Sequence, residues 1–147
     1  MADRHRLPSW IRVVLPVGLA ALAVAYGVTL WLPSRGDLAA IEATIDEEFP
    51  DVDQISTATL ADLLEHRGDP DGPRLLLIDS REPEEYAVSR IPGAVNLQTA
   101  NAVIRALDAS DPPPARIVIY CSVGYRSSVL ARALLRRGIR NVVNLRG

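Results

Sequence analysis

Apolar residues are distributed in two unlike ways along this chain. Residues 13–32 form a run of 20 positions without a charge, and sixteen of them are apolar. Beyond that run, apolar residues recur in short groups separated by polar stretches that carry Gly and Pro. Twenty helical residues rising about 1.5 Å each span roughly 30 Å, the thickness of a bilayer's hydrocarbon core. Pro16, Gly18 and Gly27 weaken a helix in water but are tolerated in a membrane. Trp10 before the run, and Tyr26 and Trp31 toward its far end, suit headgroup depth. The pattern predicts a single transmembrane helix over 13–32, preceded by a flank over 1–12. A secretory signal peptide is the rival, because Ala21-Leu22-Ala23 and Ala23-Val24-Ala25 resemble cleavage sites. The run exceeds the roughly 7–15 apolar residues usual in such peptides, which favours an uncleaved anchor. Arg4, Arg6 and Arg12 precede the run, and only Arg35 closely follows it. The positive-inside rule therefore sets the N-terminus in the cytoplasm and the rest of the chain outside, in the periplasm of a Gram-negative cell.

After the run, the periodicity changes several times. Leu38, Ile41, Ile45 and Phe49 recur at helical spacing, which predicts a short amphipathic helix over 37–48 that Pro50 ends. This segment, 33–51, reads as a spacer that packs on a following domain, 52–147. Strands are expected over 52–55, 75–78, 94–97, 117–120 and 142–145. The second and fourth are continuous apolar runs of the kind buried on both faces. Helices are expected over 58–66, over a short stretch opened by Pro83, over 99–108 and over 127–137. Ser56 or Thr57 can cap the first of these, and Ser127 or Ser128 the last. Strands alternating with helices predict an α/β domain, a mostly parallel sheet covered on both sides.

Composition narrows the function classes. The 147 residues include 16 basic residues, all Arg, and 18 acidic ones, for a formal charge of −2. That balance gives no general attraction to nucleic acid, and no nucleic-acid partner is expected. The chain has one Cys, which excludes an internal disulfide framework and a multi-Cys metal site. Its two His residues, His5 and His66, have no metal-binding spacing, so no metal or cofactor is expected.

The candidate chemistry lies where that single Cys falls. Residues 117–128 read as a strand, a tight loop and a helix start, with Cys121 at the carboxyl end of the strand. Ligands of open α/β sheets bind at such strand ends. The unpaired N–H groups and the dipole of a helix start favour thiolate over thiol. Arg126 adds a fixed positive charge with a planar fork suited to an oxyanion, and Gly124 supplies backbone freedom. A lone Cys is more often a small buried hydrophobe, but this order of elements marks a nucleophile.

The stretch resembles the active-site loop of the rhodanese family of sulfurtransferases. Its pattern, Cys-x-x-Gly-x-Arg-Ser, is met by Cys121, Gly124, Arg126 and Ser127. Upstream, residues 79–86 resemble the family's Asp-x-Arg stretch with its later Glu and aromatic, and residues 91–96 its Ile-Pro-Gly-Ala-x-Asn turn. The resemblance covers about 52–147. Two departures are visible. Ser89-Arg90 stands where a Gly-His pair is usual, a position that reads as peripheral to the chemistry. The chain also stops after Asn144-Leu145-Arg146-Gly147, where the family usually continues into a closing helix. The expectation is one partly uncovered sheet face, which a protein partner could cover.

The resemblance implies a sulfurtransferase. Cys121 would take sulfur from a small donor such as thiosulfate and pass it, as a persulfide, to a thiol acceptor. Ser122, Val123, Gly124, Tyr125, Arg126 and Ser127 would bind substrate, with Arg126 orienting the anionic donor. Asp79 and Arg81 would brace the loop. The alternatives are a non-catalytic rhodanese-like binding module and a Cys-dependent phosphatase or arsenate reductase. The latter relatives place five residues between Cys and Arg, whereas this chain has four, Ser122 to Tyr125.

Overall fold

A computed structural model describes residues 35–69, 72 and 74–146. The expected span over 13–32 lies outside the described residues. Among the described residues, no helix is long and apolar enough to cross a membrane. From Leu38 on, the described residues form one compact unit, which carries the sheet.

The elements run α1 (Arg35–Glu48), β1 (Gln54–Ile55), α2 (Thr57–Glu65), a 3-10 turn (His66–Gly68), β2 (Leu75–Asp79), α3 (Pro83–Val88), β3 (Val95–Asn96), α4 (Ala100–Asp108), β4 (Arg116–Tyr120), α5 (Tyr125–Leu135) and β5 (Val142–Leu145). The α/β alternation is as the periodicity predicts. Helix starts follow local chemistry. The Ser56 hydroxyl accepts from the Thr59 amide at 3.1 Å, and the Thr99 hydroxyl from the Ala102 amide at 3.2 Å. Pro83 occupies the first turn of α3, where its missing N–H is no loss. The edge strands β1 and β3 are only two residues long, shorter than expected, because only Gln54–Ile55 and Val95–Asn96 stay in register with their neighbours β5 and β2.

The strand order is β1-β5-β4-β2-β3, and every pairing is parallel. The two-residue period of the strands sorts their side chains between two cores. Ile78, Ile117, Ile119 and Val142 face one core, with Ile45 and Phe49, Val103 of α4, and Leu130 and Leu134 of α5. Leu75, Leu77, Val118, Tyr120, Val143 and Leu145 face the other, with Leu60 of α2. The segment read as a spacer therefore belongs to the packed core: Ile45 and Phe49 are buried. The expected gap over one sheet face is not seen at the central strands. On both faces, residues of β4 and β5 are buried. Burying a side chain such as Leu134 contributes about 1.5–3 kcal/mol, and α5 packs Leu130, Ala131 and Leu134 against the sheet in this way.

Candidate active site

The site is built at the carboxyl ends of β2 and β4, which are adjacent in the sheet. Strand β4 ends at Tyr120, and Cys121 is the first residue beyond it. Ser80 fixes this corner: its amide and hydroxyl both donate to the Tyr120 carbonyl, at 2.9 and 3.0 Å. Cys121 is half-buried and opens into a cleft lined by Arg81, Ser89, Arg90, Tyr120 and Ser122, among others.

The loop turns into α5 at Gly124, whose φ of +89° only glycine adopts without strain. The expected Ser127 or Ser128 cap is not what forms. Gly124 is the capping residue, and α5 starts two residues earlier, at Tyr125. This puts Ser127 and Ser128 in the first turn, both buried. The Ser127 hydroxyl bonds to the Gly124 carbonyl at 3.1 Å and reaches Cys121 Sγ at 3.4 Å. The Gly124 amide donates to Cys121 Sγ at 3.2 Å. Burial pushes the thiol up. Donation from the Ser127 hydroxyl and from the Ser127, Val123 and Gly124 amides outweighs burial and holds it below its ordinary value.

Of the expected substrate-binding residues, Ser127 and Gly124 contact the sulfur directly. Val123 and Tyr125 are exposed at the loop's outer side. Tyr125 donates to Glu48 Oε1 at 2.8 Å and packs edge-on against Phe49, so it ties the loop to the end of α1. Arg126 points to a partner that the sequence analysis did not assign. Its guanidinium grips Glu85 through two bonds, at 2.8 and 3.1 Å, and reaches the Ser122 hydroxyl at 3.2 Å. Ser122 donates to the same carboxylate at 3.0 Å. Arg126, first among several donors, holds the Glu85 carboxyl down to about 2. Glu85 stands within the Asp-x-Arg motif stretch. Its role was hidden because 41 positions separate it from Arg126, and only the sheet brings α3 and α5 together.

Asp79 is fully buried at the end of β2. Its carboxylate accepts from the Arg81 amide at 2.9 Å and from the Arg81 side chain at 2.7 to 3.1 Å. Burial pushes the Asp79 carboxyl up, but the Arg81 donors together bring it below its ordinary value. Arg81 in turn donates to the Ser89 carbonyl, and its own carbonyl accepts from Asn96 and Gln98 at 2.8 and 2.9 Å. The guanidinium lies 5.8 Å from the Tyr120 ring. The pair thus ties β2, the turn before β3 and the residue preceding Cys121 into one corner.

A second unassigned residue is Asn144. It is buried in the apolar strand β5, and its Nδ2 donates to the Gly124 carbonyl at 3.3 Å and to Gln54 at 2.7 Å. That bond backs the glycine whose amide faces the sulfur. The sequence signal was a lone polar side chain between Val143 and Leu145. Among the described residues, no group of three or more His, Cys, Asp or Glu is placed to hold a metal.

The arrangement suits reversible loading of one soft atom onto Cys121, with donors converging on the sulfur and an open cleft in front of it. Comparison with known proteins agrees with this chemistry. A family model described as the Rhodanese-like domain matches residues 57–147. A sulfurtransferase of Allochromatium vinosum is 38% identical over 73 residues, 50% of this chain and 66% of that protein. A tRNA uridine(34) hydroxylase of Prochlorococcus marinus is 35% identical over 86 residues, 52% of this chain and 27% of that protein. The crystal structure of a thiosulfate sulfurtransferase from Pseudomonas aeruginosa has a TM-score of 0.59 at 25% identity, over 75% of this chain and 20% of that one. The chain spans between 27% and 66% of the length of these curated relatives. With the family match covering more than half of its length, and with sheet, loop and cysteine disposed as described, the chain belongs to the rhodanese-like family.

Proposed function

We propose that this protein moves a sulfane sulfur from a small anionic donor such as thiosulfate to a thiol acceptor, through a persulfide on Cys121. The observation that carries the reading is Cys121 Sγ, half-buried in an open cleft and facing the Gly124 amide and the Ser127 hydroxyl at 3.2 and 3.4 Å. In the first step the Cys121 thiolate attacks the outer sulfur of thiosulfate. The bond between the two donor sulfurs breaks, and sulfite leaves with its electron pair. In the second step an acceptor thiolate attacks the outer sulfur of the persulfide. The Cys121 thiolate leaves, and the acceptor departs as a persulfide. Covalent catalysis of this kind divides one transfer into two displacements. The donors facing Sγ favour the attacking thiolate of the first step and the thiolate that leaves in the second.

Two features weigh against the phosphatase reading. Four residues, not five, separate Cys121 from Arg126, and the Arg126 guanidinium is already bound to Glu85 and Ser122. The binding-module reading is disfavoured by the retained, activated cysteine. Incubation with thiosulfate is expected to add one sulfur atom to Cys121 by mass spectrometry, and cyanide is expected to remove it as thiocyanate. An unmodified protein that hydrolyses an aryl phosphate would replace this reading with the phosphatase.

The uncharged run over 13–32 supports attachment to a membrane, with residues 1–12 in the cytoplasm and the catalytic unit on the other side. Alkaline phosphatase fused after Gly147 is then expected to be active, and an inactive, stably expressed fusion would refute that orientation.

A further inference from the structure

Three arginines stand around Cys121, and their charges are not equally available. Arg81 is paired with Asp79 at 2.7 Å, and Arg126 with Glu85 at 2.8 Å. Among the described residues, Arg90 has no carboxylate within ion-pairing distance, and it lines the same cleft as Cys121 and Ser122. Its guanidinium is nonetheless placed. It lies 4.9 Å from the centre of the Tyr86 ring and donates to the Tyr86 carbonyl at 3.5 Å. Tyr86 is itself pinned by its hydroxyl to the Ala94 carbonyl at 2.8 Å, and Ile91, which follows Arg90, donates its amide to the Tyr120 hydroxyl at 3.1 Å. The sequence analysis treated the Ser89-Arg90 pair as peripheral. The fold corrects this, because both residues form cleft wall.

An unopposed guanidinium on a fixed aromatic platform is suited to a planar or trigonal oxyanion. We propose that Arg90 is the anion-reading residue of this cleft, and that it selects donors whose sulfane sulfur is bonded to a negatively charged sulfonate-type group. This deepens the sulfurtransferase reading and rests on it. Arg90 binds the oxyanion end while the Cys121 thiolate attacks the outer sulfur, and the departing sulfite or sulfinate takes the electron pair of the broken S–S bond. Arg126, held by Glu85 and interacting with the Cys121 sulfur, shapes the loop around that sulfur.

The test compares alkylation of Cys121 by iodoacetate, which is anionic, with alkylation by neutral iodoacetamide, at low ionic strength. Both reagents report the cleft without requiring any sulfur transfer. Arg90→Gln is expected to slow iodoacetate about fivefold and to leave iodoacetamide within about twofold, since only the charged reagent feels the lost cation. Arg90→Lys is expected to restore most of the iodoacetate rate. With thiosulfate as donor, Arg90→Gln is expected to raise KM about fivefold with kcat unchanged. An unchanged ratio of the two alkylation rates in Arg90→Gln would overturn the proposal. If thiosulfate leaves the parent protein unmodified while that ratio still falls, the sulfurtransferase reading fails and the anion-reading role of Arg90 stands.

Discussion

Cys121→Ser is expected to abolish sulfur transfer, with a loss of at least about 10³-fold in kcat/KM, while the fold is retained. The chain has no second thiol, so no neighbouring residue can take over the sulfur. A serine hydroxyl fits the same space and can still meet the Gly124 amide, but it forms no persulfide. The measurement is thiocyanate production from thiosulfate and cyanide, with far-UV circular dichroism as the folding control. Full activity in the variant would remove Cys121 from the mechanism. The parent's pH profile carries the same assignment. The thiol lies below its ordinary value, so the reactive thiolate persists to a lower pH than in a free cysteine. The transfer rate should therefore reach its plateau below the free-thiol range of about 8.5 and fall about tenfold per pH unit on the acid side. Glu85 does not shape that limb. Its carboxyl is held at about 2, so the pair with Arg126 is complete above the ordinary carboxyl value of 4.5 and is lost only as pH falls toward about 2.

Asp79→Ala is expected to destabilise the domain by about 3 kcal/mol, one of the largest single effects available outside the apolar core. Asp79 is fully buried and accepts from the Arg81 amide and from two of its side-chain nitrogens. Removing the carboxylate leaves the Arg81 side chain, only 15% exposed, without its counter-charge. Its remaining partner, the Ser89 carbonyl, does not neutralise it. Urea unfolding followed by circular dichroism measures the loss, and a change below about 1 kcal/mol would contradict the bracing role. The sign with pH follows from the lowered carboxyl. The stability it contributes is full above 3.8 and is lost as pH falls through the lower folded value. Asp79→Asn should remove most of that pH dependence.

Much of this was legible in the residues themselves. The runs that became β2 and β4 were continuous and apolar because strands at the centre of a parallel sheet have no wet face. Ser56 and Pro83 announced helix starts through chemistry that acts within one turn. Cys121, Gly124, Arg126 and Ser127 stood out because a strand end, a left-handed glycine and a helix start follow one another without a break. Even here, one local reading moved. Serine is the common cap, but the loop needed the positive φ of Gly124 at that position, and the cap fell there.

The rest depended on distance along the chain. The sequence marked Arg126 as a cation near Cys121 but could not name its partner, because Glu85 lies 41 positions away on α3. Arg90 read as peripheral until the end of β4 placed Cys121 in the same cleft. Asn144 had no assigned part until the β4–β5 pairing set it behind Gly124. By itself, then, the sequence determined the element order, the candidate nucleophile and the loop whose donors face its sulfur, because periodicity, capping and backbone freedom are properties of adjacent residues. Only the tertiary structure decided which cleft arginines have a carboxylate beside them among the described residues. Ion pairing depends on separations of a few ångströms, and those are set by how the parallel strands bring remote segments to one edge of the sheet.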